Sequence, residues 1–197
     1  MYEVEKIKND LERMLSEYRY NHSLNVAKVA EELAGIYNVD KEKAYLTGLV
    51  HDIAKEFTDE ENKYYIKKYK LSSKLLKKEF KKILHAYVGA SYLKDVYNLD
   101  DDICKAVYVH TVASPDMDLL AKILFVADKI EPNKDYIGID EERELAYQDI
   151  NNALILCLEN NIKKLESKGK RPHKNTIKTL KKLTKEQMKN KKSLDDR

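Results

Sequence analysis

Gly48-Leu49-Val50-His51-Asp52-Ile53-Ala54-Lys55-Glu56 sets a histidine beside an aspartate within an apolar run. Read as helix, the stretch points neighbouring side chains about 100° apart, so His51 and Asp52 grip one object from two sides, and Lys55, four residues on, stands on the histidine's face. An imidazole and a carboxylate packed among Leu49, Val50 and Ile53 are costly to bury without a partner. A metal ion is the partner that suits both. Gly48 costs such a helix about 1 kcal/mol relative to alanine, which implies that another helix crosses closely there.

Outward from this stretch the sequence reads as helix on both sides. Val4, Ile7, Leu11, Met14, Leu15 and Tyr18 recur at three- and four-residue intervals in a first helix over 2–17. Arg19-Tyr20-Asn21-His22 interrupts the pattern, and a second helix runs from about His22 to Tyr37 with His22 on its first turn. Asp40 caps the third, which carries His51 and Asp52; Thr58 and Glu61 form a capping box for a fourth, ending near Tyr69; Ser72 or Ser73 caps a fifth. His85 begins or continues a helix to Tyr97, and Asp100 caps the next, where Ile103, Val107 and His110 share a stripe. Ser114-Pro115 reads as a cap followed by a first-turn proline, opening a helix that delivers Asp128 near its end before Pro132. Residues 140–168 are one long helix or two abutting ones, closed by Gly169; a basic loop, Lys170-Arg171-Pro172-His173, precedes a final helix over Asn175 to Leu183.

Composition agrees with an all-α fold: 36% of the 197 residues are charged and 43% hydrophobic, with five glycines and three prolines. The length suits one domain, drawn over 1–184, with a lysine-rich tail over 185–197 expected to be frayed or disordered. The net charge is only +3. The lysine runs from Lys63 to Lys82 and from Lys163 to Lys192 read as solvated helix faces, without the interleaved aromatics of a single-strand binder, so no nucleic-acid partner is expected. Cys104 and Cys157 lie far apart in apolar patterns and read as reduced, buried thiols. A charged N-terminus and the absence of a spanning apolar run point to a cytoplasmic protein with no membrane partner.

Two donors do not complete a metal site, and the chain offers few others: the five histidines are His22, His51, His85, His110 and His173, and Asp128 stands inside Ile123-Leu124-Phe125-Val126-Ala127-Asp128. A histidine alone is more often a packed core residue than a ligand, but here four of them lie beside apolar runs that would hold them rigid. The order His22, His51-Asp52, His85, His110, Asp128 resembles the HD superfamily of metal-dependent phosphohydrolases, patterned H…HD…H…H…D. That resemblance implies a helical bundle with the metal site between core helices.

The likeness extends further. Arg19-Tyr20-Asn21-His22, His51-Asp52-Ile53-Ala54-Lys55-Glu56, Leu84-His85-Ala86-Tyr87-Val88-Gly89, His110-Thr111, Ala127-Asp128-Lys129-Ile130-Glu131-Pro132 and Arg171-Pro172-His173 resemble the YqeK group, over about residues 15–176. Members of that group cleave diadenosine tetraphosphate symmetrically into two ADP. The resemblance implies metal ligands at His22, His51, Asp52 and Asp128, with iron as the metal and manganese or zinc as alternatives for the same nitrogen and oxygen donors. It also implies phosphate contacts at Arg19, Lys55, His85, His110, Thr111, Lys134 and the Arg171-Pro172-His173 loop, with Asp52, Lys55, His85 and His110 in catalytic roles. His85 and His110 could instead bind a second metal. Lys134 stands where the group commonly has arginine, and the group usually has a residue between Pro172 and His173. The expected partner is a dinucleoside polyphosphate substrate, with a homodimer as one arrangement of the chain. The competing readings are a phosphohydrolase of another nucleotide and a non-catalytic nucleotide sensor or adaptor.

Overall fold

The computed structural model describes residues 2–195, with side-chain surroundings through residue 189, and among these there are ten α-helices and no strand. In chain order they are α1 (Val4–Met14), α2 (Glu17–Ile36), α3 (Lys41–Val50), α4 (Asp59–Lys68), α5 (Lys81–Tyr97), α6 (Asp101–Val109), α7 (Leu119–Ile130), α8 (Ile139–Gln148), α9 (Ile150–Glu166) and α10 (Lys174–Asp195). Two 3₁₀ turns, Ser73–Leu76 and Lys78–Phe80, lie between α4 and α5. None of the described helices is long and apolar enough to cross a membrane.

α2 lies along α3 and α7, while α5, α6 and α7 pack in succession. Leu33 of α2, Leu46 and Leu49 of α3, Leu93 of α5, Ile103 of α6 and Phe125 of α7 are fully buried among these helices. Each such side chain contributes about 1.5–3 kcal/mol relative to exposure in water. One core therefore holds all the helices that bear the candidate donors. The close crossing implied by Gly48 is present: a Cβ there would lie 2.6 Å from the Cα of Ala27 in α2.

Several boundaries differ from the sequence expectation. α2 begins at Glu17, so Arg19 to His22 are helical and His22 stands on the second turn, not the first. α3 stops at Val50, and the amides of Ile53 and Lys55 bond three residues back, to Val50 and Asp52, at 3.1 and 2.8 Å. In such a 3₁₀-like turn residues i and i+3 share a face. Lys55 consequently stands over Asp52 rather than over His51.

α7 is capped by Asp118, which accepts from the Ala121 amide at 2.8 Å, so Ser114 and Pro115 form a turn ahead of it instead of its first residues. Residues 140–168 are two helices, because Asp149 turns extended (φ −152°, ψ 104°) and uses its carboxylate to cap α9. Ser72 caps a 3₁₀ turn, and Asp100 stands at the start of α6 without capping it. The capping box of Thr58 and Glu61 forms as expected, and Gly169 adopts φ 65° after α9, with the Lys170 amide donating to Leu165 O. α10 runs past Leu183 to Asp195 and so carries part of the lysine-rich segment set apart by composition, whose last two residues lie outside the described ones.

Candidate metal centre

Four helices and one turn bring the donor side chains to a common point. His22 comes from α2, His51 and Asp52 from the turn after α3, His85 from α5, His110 from the residue that ends α6, and Asp128 from the last turn of α7. The four histidines and Asp52 are each at most 4% exposed.

Asp52 lies at the middle. Its Oδ2 is 3.7 Å from His51 Nε2 and 4.0 Å from His22 Nε2, whereas its Oδ1 is 3.0 Å from His85 Nε2 and 3.6 Å from His110 Nε2. Asp128 closes the first side, with Oδ1 3.1 Å from His22 Nε2 and 3.7 Å from His51 Nε2. Two groups result, His22-His51-Asp52 and Asp52-His85-His110, in each of which one ligand atom per residue lies within 4.8 Å of the others. Each could hold a metal ion, and Asp52 belongs to both.

The ring nitrogens show how these side chains face one another. His51 Nδ1 donates to the Gly48 carbonyl at 2.7 Å, and His110 Nδ1 donates to the Val107 carbonyl at 2.6 Å. A carbonyl can only accept, so Nδ1 carries the hydrogen in both rings, and each ring in its neutral form turns a lone pair inward from Nε2. His51 Nε2 is buried with no hydrogen-bond partner. Lone pairs of nitrogen and carboxylate oxygen aimed at one another repel unless a cation sits among them, so this donor set fits a divalent metal.

Electrostatics agree. Burial alone would raise the Asp52 carboxyl, but the adjoining His51, His110 and His85 outweigh it and hold the group well below the usual carboxylate range. Burial brings His85 down to about 4 despite Asp52, so at neutral pH its ring is a neutral donor of lone pairs. Burial also lowers His110, and it lowers Lys55 with Arg19 adding to the effect against the pull of Asp52.

Two residues of the 127–132 motif to which the sequence assigned no role also meet the cluster. Glu131, 1% exposed, lies 3.1 Å from His22 Nδ1 through Oε1, while its Oε2 accepts from Asn25 Nδ2 and the Asn133 amide at 3.3 and 2.8 Å. A carboxylate behind a metal-facing histidine fixes the ring's orientation and raises its basicity. Lys129 Nζ pairs with Asp128 Oδ2 and sits 5.1 Å from the centre of the Phe125 ring. The available signal was Glu131 itself, a second carboxylate three residues beyond Asp128 at the end of an apolar helix.

The candidate phosphate contacts divide. Arg19 Nη1 is 3.2 Å from Asp52 Oδ2, Lys55 Nζ is 3.5 Å from Asp52 Oδ1 and 3.1 Å from His85 Nε2, and the buried hydroxyl of Thr111 has no partner. Lys134 instead lies 3.7 Å from Glu131 Oε1. Arg171 is exposed, and His173 Nδ1 accepts from the Asn175 amide at 3.2 Å, which caps α10. Among the described residues no hydrogen bond or ion pair joins Arg171, Pro172 or His173 to the cluster; the nearest tie is Thr176 Oγ1 donating to Val112 O at 2.9 Å.

A cleft of about 590 Å³ opens beside His85, lined by Arg19, Lys55, Phe57, Asn62, Lys81 and Lys82 among others. A smaller one of about 290 Å³, between the 114–118 turn, α9 and α10, contains none of the donors.

Residues 19–133 match the HD domain family, an interval that spans every donor of the cluster. Over 174 residues the chain is 37% identical to a protein of Halalkalibacterium halodurans named a symmetrical bis(5'-nucleosyl)-tetraphosphatase, covering 88% of this chain and 92% of that one. A Bacillus subtilis protein of the same name is 39% identical over 151 residues, 76% of this chain and 81% of that one. A solved structure from Clostridium acetobutylicum, described as a predicted HD superfamily hydrolase involved in NAD metabolism, superposes with a TM-score of 0.86 at 39% identity, covering 94% of this chain and 99% of that one.

Proposed function

The chain belongs to the HD domain family, and from that premise we propose that it is a metal-dependent hydrolase that cleaves diadenosine tetraphosphate symmetrically into two molecules of ADP. The observation that carries this reading is the convergence of His22, His51, Asp52, His85, His110 and Asp128, with His51 Nε2 buried and unpartnered, at the edge of a cleft lined by cations.

His22, His51, Asp52 and Asp128 would hold the metal, with His85 and His110 forming a second group around the other oxygen of Asp52. Iron suits these nitrogen and oxygen donors, and manganese or zinc would serve as well. A bound divalent metal supplies Lewis acidity and makes water a competent nucleophile near neutral pH.

The remaining steps belong to the protein's own side chains. Asp52 is kept ionised, so it can orient a water and accept a proton from it. Arg19 presents a planar fork and Lys55 a point charge to phosphate oxygens, and Thr111 adds a hydroxyl that has no other partner. His85 and His110, buried and neutral, fix the geometry of the reacting phosphate without adding charge. Cations and donors aimed where negative charge develops are the main source of catalysis in phosphoryl transfer.

The experiment is a metal analysis of protein purified without chelator, paired with hydrolysis assays on diadenosine tetraphosphate and on mononucleotides. Metal near stoichiometry and ADP from the dinucleotide are expected. Tight ADP binding with no turnover under several divalent metals would replace the enzyme with a nucleotide sensor.

A further inference from the structure

The cleft beside His85 carries a charge pattern that the donor cluster does not use. Lys81 and Lys82 are the first two residues of α5, a helix with no acidic residue in its first turn and no side-chain cap. Cations at that end oppose the helix dipole by about 0.3–1 kcal/mol each. An anion beside them would offset that cost.

Lys82 and Lys81 precede His85 by three and four residues and so share its face of the helix, one turn or about 5.4 Å away. All three line the cleft. The ion pairs of this region, Lys81 with Asp59 at 3.3 Å and Lys68 with Asp95, leave Lys82 out, and the Lys81 pair is exposed and therefore weak.

Asn62 of α4 lines the same cleft. Asn62 is 7% exposed; its Nδ2 donates to the carbonyls of Phe57 and Thr58 at 3.1 and 2.9 Å, which leaves Oδ1 buried without a partner. An unpaired buried acceptor costs about 1–3 kcal/mol. A nucleoside hydroxyl or amino group brought beside Asn62 would supply the missing donor.

We infer that this cleft takes one nucleoside diphosphate half of the substrate, with Lys81 and Lys82 on its phosphates and the nucleoside beside Phe57 and Asn62. The inference rests on the dinucleotide hydrolase reading above. A single phosphate reaches Arg19 and Lys55 but leaves Lys82 unpaired and Lys81 with only its exposed pair to Asp59, whereas a chain of phosphates spans the helical turn between His85 and Lys81. Lys81 and Lys82 therefore select for the length of the phosphate chain.

The test compares the full-length, metal-loaded protein with its Lys81→Ala/Lys82→Ala variant, by steady-state kinetics on diadenosine tetraphosphate and by calorimetric titration with ADP. KM should rise about tenfold, as for loss of one charge-assisted hydrogen bond, with kcat within about twofold. Metal content should not change, and Lys81→Arg/Lys82→Arg should restore KM. An unchanged KM, or a loss confined to kcat, overturns the inference. If the wild-type protein does not hydrolyse the dinucleotide, the ADP titration still decides: weaker binding by the alanine variant keeps the cleft while the hydrolase reading falls, and equal binding removes the cleft.

Discussion

Gly48 lies against the backbone of Ala27, close enough that a Cβ on Gly48 would stand 2.6 Å from Ala27 Cα and 2.8 Å from Ala27 N. Backbone atoms cannot rotate aside, so Gly48→Ala must push α2 away from α3, at a cost of about 1–3 kcal/mol. Because His51 hangs from the Gly48 carbonyl, the same shift displaces a donor. A lower Tm and a lower metal content are expected together. Gly89 is the control: a Cβ there meets Ile53 Cγ2 at 3.5 Å and Ala54 Cβ at 3.6 Å, ordinary contacts, so Gly89→Ala should be neutral or gain up to about 1 kcal/mol of helix propensity. Equal melting of the Gly48 variant and the wild type would contradict the close crossing.

Glu131→Gln keeps the size of the side chain and removes the charge behind His22. Loss of such a supporting carboxylate weakens metal binding about 10–100-fold. Competition with a chelator should show that decrease while the helical circular-dichroism signal stays unchanged. Undiminished affinity would mean that His22 is held by packing alone.

The histidines and aspartates that converge were readable because their order is distinctive and because His51, Asp52 and Asp128 stand in apolar runs, where burial without a partner is costly. What their neighbours do was not readable, since it depends on atoms brought from distant helices. Glu131 reaches His22 only because α7 packs on α2, and Lys81 and Lys82, which read as part of a solvated lysine run, line the cleft only because α5 begins there. The 3₁₀-like turn at 51–56 also escaped, because an apolar run of that length has the same pattern in either helix type. Asp118 capped α7 where Ser114 was expected, since both are good caps and only tertiary packing chooses between them.

Asp128→Ala and Lys55→Ala separate holding the metal from acting on phosphate. Asp128 meets His22 and His51, and burial of its carboxyl is outweighed by Lys129, His22 and His51, which hold it ionised. Its removal should abolish both metal retention and turnover in a protein that remains helical. Lys55→Ala should keep the metal and lower kcat about a hundredfold or more. Metal loss in the Lys55 variant would reassign that lysine to the structure of the centre.

The N-terminal segment gives a pH-dependent term in stability. Tyr2 donates to Asp100 at 2.7 Å, and Lys43 Nζ lies 2.9 Å from the same carboxylate. Burial and the bond to Asp100 push the Tyr2 phenol from 10.0 up to about 12, so its contribution is complete below pH 10 and is lost as the pH climbs above that value. The bonds from Tyr2 and Lys43 hold Asp100 below its ordinary 3.8, so its contribution is present above that pH and disappears as the pH falls. Tyr2→Phe should therefore lower Tm most between those limits, with the two melting curves converging at either extreme. A gap that is constant with pH would assign the effect to packing.

The final prediction concerns which bond of the tetraphosphate breaks. A nucleophile activated at the donor cluster reaches only the phosphorus held against it, so the cleavage point is set by how far the pocket lets a nucleoside end extend. Arg19 and Lys55 flank Asp52, and the cleft beside His85 gives the lysines of α5 about one helical turn of reach. If that space accommodates one nucleoside diphosphate, attack falls on the second phosphate from that end and expels the other half as a second diphosphate. ADP should then be the sole nucleotide product from diadenosine tetraphosphate, and heavy oxygen from labelled water should appear in one of the two molecules formed. Chromatography showing AMP and ATP in equal amounts would place the attack one phosphate away and rule out the symmetrical reaction.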